Sequence, residues 1–248
     1  MSGSPSGSVL ILGATSDIAR AVARRYAQAG RPLVLAARNP EHLEADAADL
    51  TLRSGVEVRL VAFDVLDTAG HADFLDRLGD LPATVVCVVG LLGSQPEAQR
   101  DFDAARRVLD TNLTGPVSIL GEVANRMERR GLGTIIGISS VAGDRGRASN
   151  YVYGAAKAGF TAFLSGLRNR LHRSGVHVVT VKPGFVRTRM TEGMKLPSLL
   201  TAGPDEVARA ILAAEASGRD VAYVRPVWRV VMTAIRVLPE RLFKKTNL

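Results

Sequence analysis

The stretch from residue 134 to residue 157 reads TIIGISSVAGDRGRASNYVYGAAK. It opens with an apolar run at 134–138 that is typical of a buried strand, continues with the polar Ser139 and Ser140, and leads into a helix-like pattern that ends near Leu171. Open α/β sheets build their active sites at strand ends of this kind. The stretch therefore predicts an α/β fold with its chemistry at the end of this strand.

Further apolar runs alternate with helix-like segments along the rest of the chain. They lie at residues 9–12, 32–37, 56–63, 84–89 and 176–181. Strands that are covered by helices on both faces are apolar throughout, so these runs indicate a mainly parallel sheet. We predict a single-domain, doubly wound Rossmann-type α/β fold. Its parts would be a flexible N-terminal tail at 1–8, a catalytic domain at 9–226 and a basic amphipathic C-terminal extension of the same domain at 227–248.

The composition bears on the compartment of the protein. The chain has 248 residues, a formal net charge of +8 and one cysteine. Cys87 lies in an apolar run, so we expect a buried thiol, which fits a reducing cytoplasm. Residues 1–8 lack the basic and apolar regions of a signal peptide. We therefore predict a cytoplasmic protein, and we predict no metal site.

The positive charge is concentrated near the C-terminus. Residues 225–248 contain six Lys or Arg and one acidic residue, 6 − 1 = +5, and these alternate with apolar side chains. This pattern is typical of an amphipathic segment on an anionic membrane surface. We predict that contact, on the inner face of the membrane, and no nucleic-acid partner. The alternative is a strand and helix whose apolar side covers the core or a subunit contact.

The first strand leads through a tight turn into a helical pattern, and that order forms a phosphate cradle from backbone N–H groups and the helix dipole. Only the first glycine of a glycine-rich fingerprint is present, because Asp17 and Ala19 stand where later glycines are expected. Taken alone, the turn fits an ordinary strand–turn–helix equally well. The candidate phosphate-binding residues are Gly13, Thr15, Ser16, Asp17 and Ile18.

Three later strand ends carry further candidate cofactor residues. Arg38 follows the second strand, where NAD-specific folds place an acid, so we predict NADPH (NADP) as the preferred cofactor and NADH (NAD) as the alternative. Asp64 and Val65 follow the third strand, where the carboxylate could accept from an adenine amino group or cap the next turn. Gly90 follows the fourth strand, where it would let the backbone approach a cofactor or would shape a turn.

Tyr153 and Lys157 stand four residues apart, so they share one face of the helix that contains them. A lysine ammonium beside a phenol favours the phenolate and eases proton exchange with a carbonyl or alcohol oxygen. Ser140 would hydrogen-bond to the same oxygen while a nicotinamide supplies hydride. Tyr151 has Ala155 four residues on, so we interpret it as a substrate-pocket or packing residue.

The chain resembles the short-chain dehydrogenase/reductase family from residue 9 to about residue 224. Serine precedes tyrosine by 153 − 140 = 13 positions, the usual interval of that family, which selects Ser140 over Ser139. The matching elements, in order, are Gly13-(x3)-Asp17-Ile18-Ala19, Asp64-Val65, Asn112, Ser140, Tyr153-(x3)-Lys157 and Pro183-Gly184-Phe185-Val186-x-Thr188.

The resemblance implies a seven-stranded sheet and a set of catalytic roles. Tyr153 would be the general acid/base. Lys157 would lower the pKa of Tyr153 and bind the nicotinamide ribose, and Ser140 would hold the substrate oxygen. Asn112, a polar residue within the apolar pattern of a helix expected at about 101–120, would support a water-linked proton relay to the lysine.

The resemblance also assigns the segment after the sixth strand and the assembly. Pro183 and Gly184 would turn the chain over the cofactor, while Thr188 and the backbone of Val186 would fix the nicotinamide carboxamide. The family commonly forms dimers or tetramers, so we expect a homo-oligomer.

A narrower resemblance concerns the substrate. Residues 90–93, 142–147 and 186–190, with the basic tail, resemble the keto-reductase subunits of decaprenylphosphoryl-ribose 2′-epimerases. That resemblance implies the 2-keto sugar of a polyprenylphosphoryl pentose as substrate, a flavin-dependent oxidase as partner, and a role in cell-wall biosynthesis. Arg145, Arg147 and Arg189 would then meet the phosphodiester, because guanidinium groups match phosphate oxygens.

Two other hypotheses stay open. One is a generic NADPH-dependent ketoreductase of a soluble carbonyl compound. The other is a non-catalytic cofactor-binding scaffold, which the incomplete glycine-rich turn would allow. Against the scaffold stands the complete set of Asn112, Ser140, Tyr153 and Lys157, which a scaffold would not require.

Overall fold

The computed structural model describes residues 7–246. The strands in this part of the chain are β1 (Val9–Leu12), β2 (Leu33–Ala37), β3 (Val58–Ala62), β4 (Thr84–Cys87), β5 (Gly133–Ile138), β6 (Val176–Lys182), β7 (Phe185–Val186), β8 (Thr201–Ala202) and β9 (Val221–Tyr223). The α-helices are α1 (Asp17–Gln28), α2 (Glu44–Ser54), α3 (His71–Leu78), α4 (Gln95–Ala98), α5 (Phe102–Leu109), α6 (Gly115–Arg130), α7 (Tyr151–Leu171), α8 (Pro204–Ala216), α9 (Val227–Val237) and α10 (Glu240–Phe243).

Seven strands form one parallel sheet in the order β3-β2-β1-β4-β5-β6-β9, and β7 pairs with β8 in a separate two-stranded ribbon. The predicted seven-stranded, doubly wound sheet is therefore confirmed. The strand order reverses between β1 and β4, which leaves a crevice beyond the carboxyl ends of these two strands. Such a switch point is where ligands bind in open α/β sheets.

The apolar strands are explained by helices on both faces. Val9 and Ile11 of β1 point into a core shared with α1 and α8, whereas Leu10 and Leu12 point into a second core with α3, α6 and α7. All four side chains are fully buried. The edge strand β3 is only partly covered, and it is shorter than the predicted run at 56–63.

Helix α7 confirms the prediction of a helix that ends near Leu171, but the helix expected at 101–120 differs from the prediction. A π-helical turn, Asp110–Thr114, joins α5 to α6, so the helical segment continues to Arg130. It continues because Val123 and Met127 keep the apolar spacing and are fully buried. Gly131, with φ at 76°, then ends it.

The C-terminal extension packs on the domain through one face of α9. Trp228 and Met232 are buried in a small cluster with Val141, and the indole Nε1 donates to the carbonyl of Leu200 at 3.0 Å. The ring fits against Gly184, where an added Cβ would lie 2.0 Å from it. None of the helices within residues 7–246 has the length and apolar character needed to cross a membrane.

The N-terminal end of the described chain and the single cysteine both lie against the domain. Residues 1–6 of the predicted tail lie outside the described residues, while the carbonyl of Gly7 accepts a 2.8 Å hydrogen bond from Arg31. Cys87 is buried as expected, and burial raises the pKa of its thiol to about 11.

Candidate active site

A cavity of about 510 Å³ occupies the crevice at the carboxyl ends of β1 and β4. Every residue that the sequence predicts to contact the cofactor lines this cavity. They are Gly13, Thr15, Ser16, Asp17, Ile18, Arg38, Asp64, Val65, Gly90, Tyr153, Lys157, Pro183, Gly184, Val186 and Thr188. The strand ends thus bring together residues that are up to 175 positions apart, 188 − 13 = 175, along the chain.

The turn after β1 requires its one glycine. Gly13 has φ at 83°, and a Cβ there would lie 3.1 Å from the backbone nitrogen of Val89. Ser16 then caps α1, because its Oγ accepts from the N–H of Ala19 at 3.2 Å. The turn therefore places the N-terminus of α1 at the cavity, where backbone N–H groups favour an anion.

Asp17, which stands where a fingerprint glycine is expected, is bound by Arg189, which also lines the cavity. The backbone N–H of Arg189 donates to Asp17 Oδ2 at 2.8 Å, and its Nε donates to Oδ1 at 3.1 Å. Its Nη2 donates to the carbonyl of Thr15 at 2.5 Å. We call these three bonds the Arg189 latch. Two of them, from Nε and Nη2, occupy the guanidinium that the sequence assigned to a substrate phosphate.

Tyr153, Lys157 and Ser140 line the same cavity. Lys157 is 3% exposed, its Nζ donates to the carbonyl of Ile138 at 3.0 Å, and this nitrogen lies 5.8 Å from the centre of the Tyr153 ring. The neighbouring Ser139 hydrogen-bonds to the carbonyl of Lys157 and to Thr161. Both serines line the cavity, so the choice of Ser140 as the serine that faces a substrate stays a prediction.

Burial dominates the protonation of this pair. It raises the pKa of Tyr153 to about 12, and a hydrogen bond with Ser140 opposes the rise. Burial also lowers the pKa of Lys157 from 10.5 to about 8. The protein alone therefore does not produce the predicted lowering of the tyrosine pKa, because the desolvation of the phenol outweighs the neighbouring groups.

Asn112 lies in the π-helical turn and is fully buried. Its Nδ2 donates to the carbonyls of Leu91 at 2.7 Å and Val108 at 2.8 Å, and its Oδ1 accepts from the N–H of Leu91 at 3.2 Å. The amide therefore anchors the segment after β4, next to Gly90. Asn112 is not among the residues that line the cavity.

The four predicted substrate residues divide into two pairs. Arg147 and Arg189 line the cavity, whereas Arg145 and Tyr151 do not. Tyr151 is 44% exposed at the start of α7.

Arg145 belongs to the tail instead of the cavity, which corrects its predicted role. Its Nη1 donates to the carbonyls of Ile235 at 2.5 Å and Leu238 at 2.6 Å, and its Nη2 pairs with Glu240 at 2.8 Å. The guanidinium also lies 3.8 Å from the centre of the Phe243 ring.

Sequence reasoning missed several residues that line the cavity. Examples are Arg107, Thr111, Phe185, Met190, Met194 and Trp228. The helical spacing of Arg107, Thr111 and Gly115 held a usable signal. A Cβ at Gly115 would lie 2.2 Å from the carbonyl oxygen of Val65, so this helix face adjoins the segment after β3. Trp228 had no such signal, because its position depends on how the tail folds back.

Comparison with known proteins identifies the class. Residues 8–197 match the family model described as short chain dehydrogenase. The chain belongs to this family of NAD(P)-dependent oxidoreductases.

Particular relatives extend the match over nearly the whole chain. An uncharacterized oxidoreductase of Mycobacterium tuberculosis is 39% identical over 241 residues, which cover 96% of each chain. A short-chain dehydrogenase from Sphingobium yanoikuyae in complex with NADPH is 28% identical, with a TM-score of 0.82 and 96% coverage of both chains. An actinorhodin polyketide ketoreductase with NADPH is 26% identical, with a TM-score of 0.77, and the match covers 90% of this chain and 97% of that one.

Proposed function

We propose that the protein uses NADPH to reduce a ketone to a secondary alcohol. The observation that carries this proposal is the meeting of Ser140, Tyr153 and Lys157 in one cavity, beside the N-terminus of α1. A phenol, a hydroxyl and a buried amine at one point suit proton exchange with a carbonyl oxygen. A cofactor-binding scaffold would not need the three together.

The cavity fits a phosphorylated dinucleotide at several points. The Gly13 turn and the α1 N-terminus would hold the pyrophosphate, and Asp64 and Val65 would meet the adenine. Arg38, which is exposed at the end of β2, would bind the 2′-phosphate. The NADPH in the two similar structures supports the choice of this nucleotide. When bound, the cofactor supplies hydride to the carbonyl carbon.

The side chains of the protein would handle the proton. Tyr153, whose pKa of about 12 keeps it protonated at neutral pH, would donate its proton to the carbonyl oxygen. Ser140 would donate a hydrogen bond to the same oxygen and thereby polarise the carbonyl. Lys157, mostly protonated at pH 7, would stabilise the phenolate that remains. Asn112 would keep the segment at Gly90 and Leu91 in place.

The test is the loss of NADPH absorbance with a panel of ketones, run in parallel with NADH. We expect turnover with NADPH and a preference for it over NADH. We expect Arg38→Ala to reduce that preference by about tenfold or more, because it removes a charge-assisted contact. Absence of turnover with every ketone would contradict the reductase. An unchanged preference in the Arg38 variant would contradict the assignment of Arg38.

A second candidate, the 2-keto sugar of a polyprenylphosphoryl pentose, is favoured by the outer face of α9. Val230 and Val237 are 71% and 73% exposed there, beside the exposed Arg229 and Arg236. Such a face could rest on the cytoplasmic surface of an anionic membrane. An oxidase partner would then deliver the keto sugar at that surface.

The lipid-linked substrate is tested by separating membrane contact from turnover. Deletion of the tail is unsuitable, because it would remove Trp228 from Gly184. We propose Val230→Ser with Val237→Ser, assayed by sedimentation with anionic vesicles, and a comparison of a polyprenylphosphoryl 2-keto-pentose with simple ketones. Vesicle binding that the double variant loses, together with faster turnover of the lipid-linked ketone, is expected under this candidate. Equal turnover without vesicle binding supports a soluble substrate instead.

A further inference from the structure

We infer that the substrate carries an anionic group that binds to Arg147, an inference that rests on the proposed ketone reduction. Arg147 lines the cavity that contains Tyr153 and Ser140. Its Nε is buried, and no hydrogen-bond partner for that atom lies within residues 7–246. A buried donor normally has a partner, so an unpaired one in a cavity points to a ligand.

Arg147 forms no salt bridge within residues 7–246. Burial lowers the pKa of its guanidinium, and the neighbouring Asp144 opposes this. The carboxylate of Asp144 is already occupied, because Lys182 Nζ lies 2.5 Å from Oδ1 and the hydroxyl of Tyr223 lies 2.9 Å from Oδ2. Asp144 is therefore paired with Lys182 and only partly offsets the positive charge of Arg147, so an anion from outside would complete the pairing of the guanidinium.

Two other arginines of this region have partners in the protein. Arg145 is bound to the tail, and Arg189 forms the latch with Asp17. Arg38 and Arg107 also line the cavity, but both are exposed to solvent, whereas the Nε of Arg147 is buried. Arg147 lies between Ser140 and Tyr153 in the chain, which places its unpaired donor on the loop that leads to the reacting groups.

A second unpaired atom lies on the same turn. The N–H of Asn150 donates to the carbonyl of Arg147 at 3.1 Å, so the two residues are held together. Asn150 also lines the cavity, and its Oδ1 is buried with no partner in the described part of the chain. A guanidinium binds carboxylate, sulfonate or phosphate-ester oxygens through parallel hydrogen bonds. Arg147 thus suits a small carbonyl compound that carries one of these groups, and Asn150 Oδ1, which accepts hydrogen bonds, would bind a donor of that compound instead of its anion.

Binding is measured without turnover through Trp228, the single tryptophan of the chain, which lines the cavity. Its fluorescence is followed during titration with straight-chain keto acids, with the ketone at increasing distance from the carboxylate, and with their methyl esters. Keto sulfonates and keto phosphates form parallel arms that distinguish the anion. We expect the best acid to bind about 10- to 100-fold more tightly than its ester.

The variants decide the assignment. Arg147→Gln should remove the preference for the acid, Arg147→Lys should keep part of it, and Arg173→Gln, which removes an exposed arginine elsewhere, should leave it unchanged. An acid-to-ester ratio near one in the unaltered protein, or one that survives in Arg147→Gln, overturns the inference. Kinetic measurement of each keto acid and its ester distinguishes failure of the anion inference from failure of the proposed function. A reductase without an anion subsite at Arg147 would still reduce the esters.

Discussion

At the level of a single residue, the burial of Lys157 in the candidate site lowers the free energy of unfolding. Its pKa of about 8, against 10.5 for an unperturbed lysine, means that the unfolded chain binds a proton more tightly than the folded protein does. Between pH 8 and pH 10.5 the unfolded state therefore carries the extra proton, and the free energy of unfolding rises with pH in that window. Below pH 8 Lys157 is charged in the folded state as well, so the full cost of burying that charge lowers the free energy of unfolding.

We predict that Lys157→Met stabilises the protein at pH 7. Removal of the buried charge is worth at most about 3 kcal/mol, less about 1 kcal/mol for the lost bond to the Ile138 carbonyl. The gain should shrink as pH rises towards 10.5, while reductase activity is lost at all pH values. Urea unfolding of both proteins across pH 7–10.5 measures this. A stability difference that does not change with pH would show that Lys157 is not desolvated as described.

The meeting of Ser140, Tyr153 and Lys157 in one cavity could be predicted from the sequence, because it follows from their spacing along the chain. The interval between Ser140 and Tyr153 and the helical offset to Lys157 are local patterns. The hydrogen-bond partners of each side chain could not be predicted, because they are distant in the sequence. Arg145 and Arg189 looked equally free in the sequence, yet one holds the tail and the other holds Asp17.

At the scale of elements, the Arg189 latch connects the segment after β7 to the turn after β1. We predict that Arg189→Gln speeds the release of NADPH by about tenfold, because the variant loses a charge-assisted pair between two segments that line the cavity. Stopped-flow measurement of NADPH fluorescence gives the rate. Arg187→Gln, on the same segment and exposed, is the matched control. Equal release rates for the two variants would mean that the latch does not retain the cofactor.

The π-helical turn around Asn112 leads to a separate prediction about stability. Asn112→Leu leaves the backbone groups of Leu91 and the carbonyl of Val108 without their partner, and each buried unpaired group costs about 1–3 kcal/mol. We therefore expect a loss of at least about 2 kcal/mol in the free energy of unfolding. Thr114→Ala, an exposed change in the same turn, should cost much less. Similar losses in urea unfolding would argue against the anchoring role.

The helices and strands themselves were largely predictable, because apolar periodicity marks the faces that are buried. The strand β1 has the predicted bounds, and α7 ends where expected. The π turn was not predictable, since an extra residue in one turn leaves the apolar pattern on either side nearly intact. Its structural role is clear only from the hydrogen bonds between Asn112 and Leu91.

At the scale of the whole molecule, the parallel sheet follows from the alternation of apolar runs and helices, but the return of the tail does not. Trp228 packs on Gly184 from 44 positions away, 228 − 184 = 44, and nothing local in either segment specifies that contact. The predicted amphipathic extension is therefore partly a wall of the cavity. Its remaining exposed face is what the membrane proposal depends on, and a homo-oligomer stays a prediction.

The role of Tyr153 as proton donor is tested by a single-turnover measurement of ketone reduction by NADPH-loaded protein. We compare Tyr153→Phe with the matched variant Tyr151→Phe, and we measure NADPH affinity of both by fluorescence. Loss of the phenol that donates the proton should slow the reduction by about 100-fold or more, with nearly unchanged NADPH affinity. The Tyr151 variant should reduce the ketone at close to the unaltered rate. A Tyr153→Phe protein that binds NADPH and reduces the ketone at an unaltered rate would contradict the assignment of Tyr153 as the proton donor.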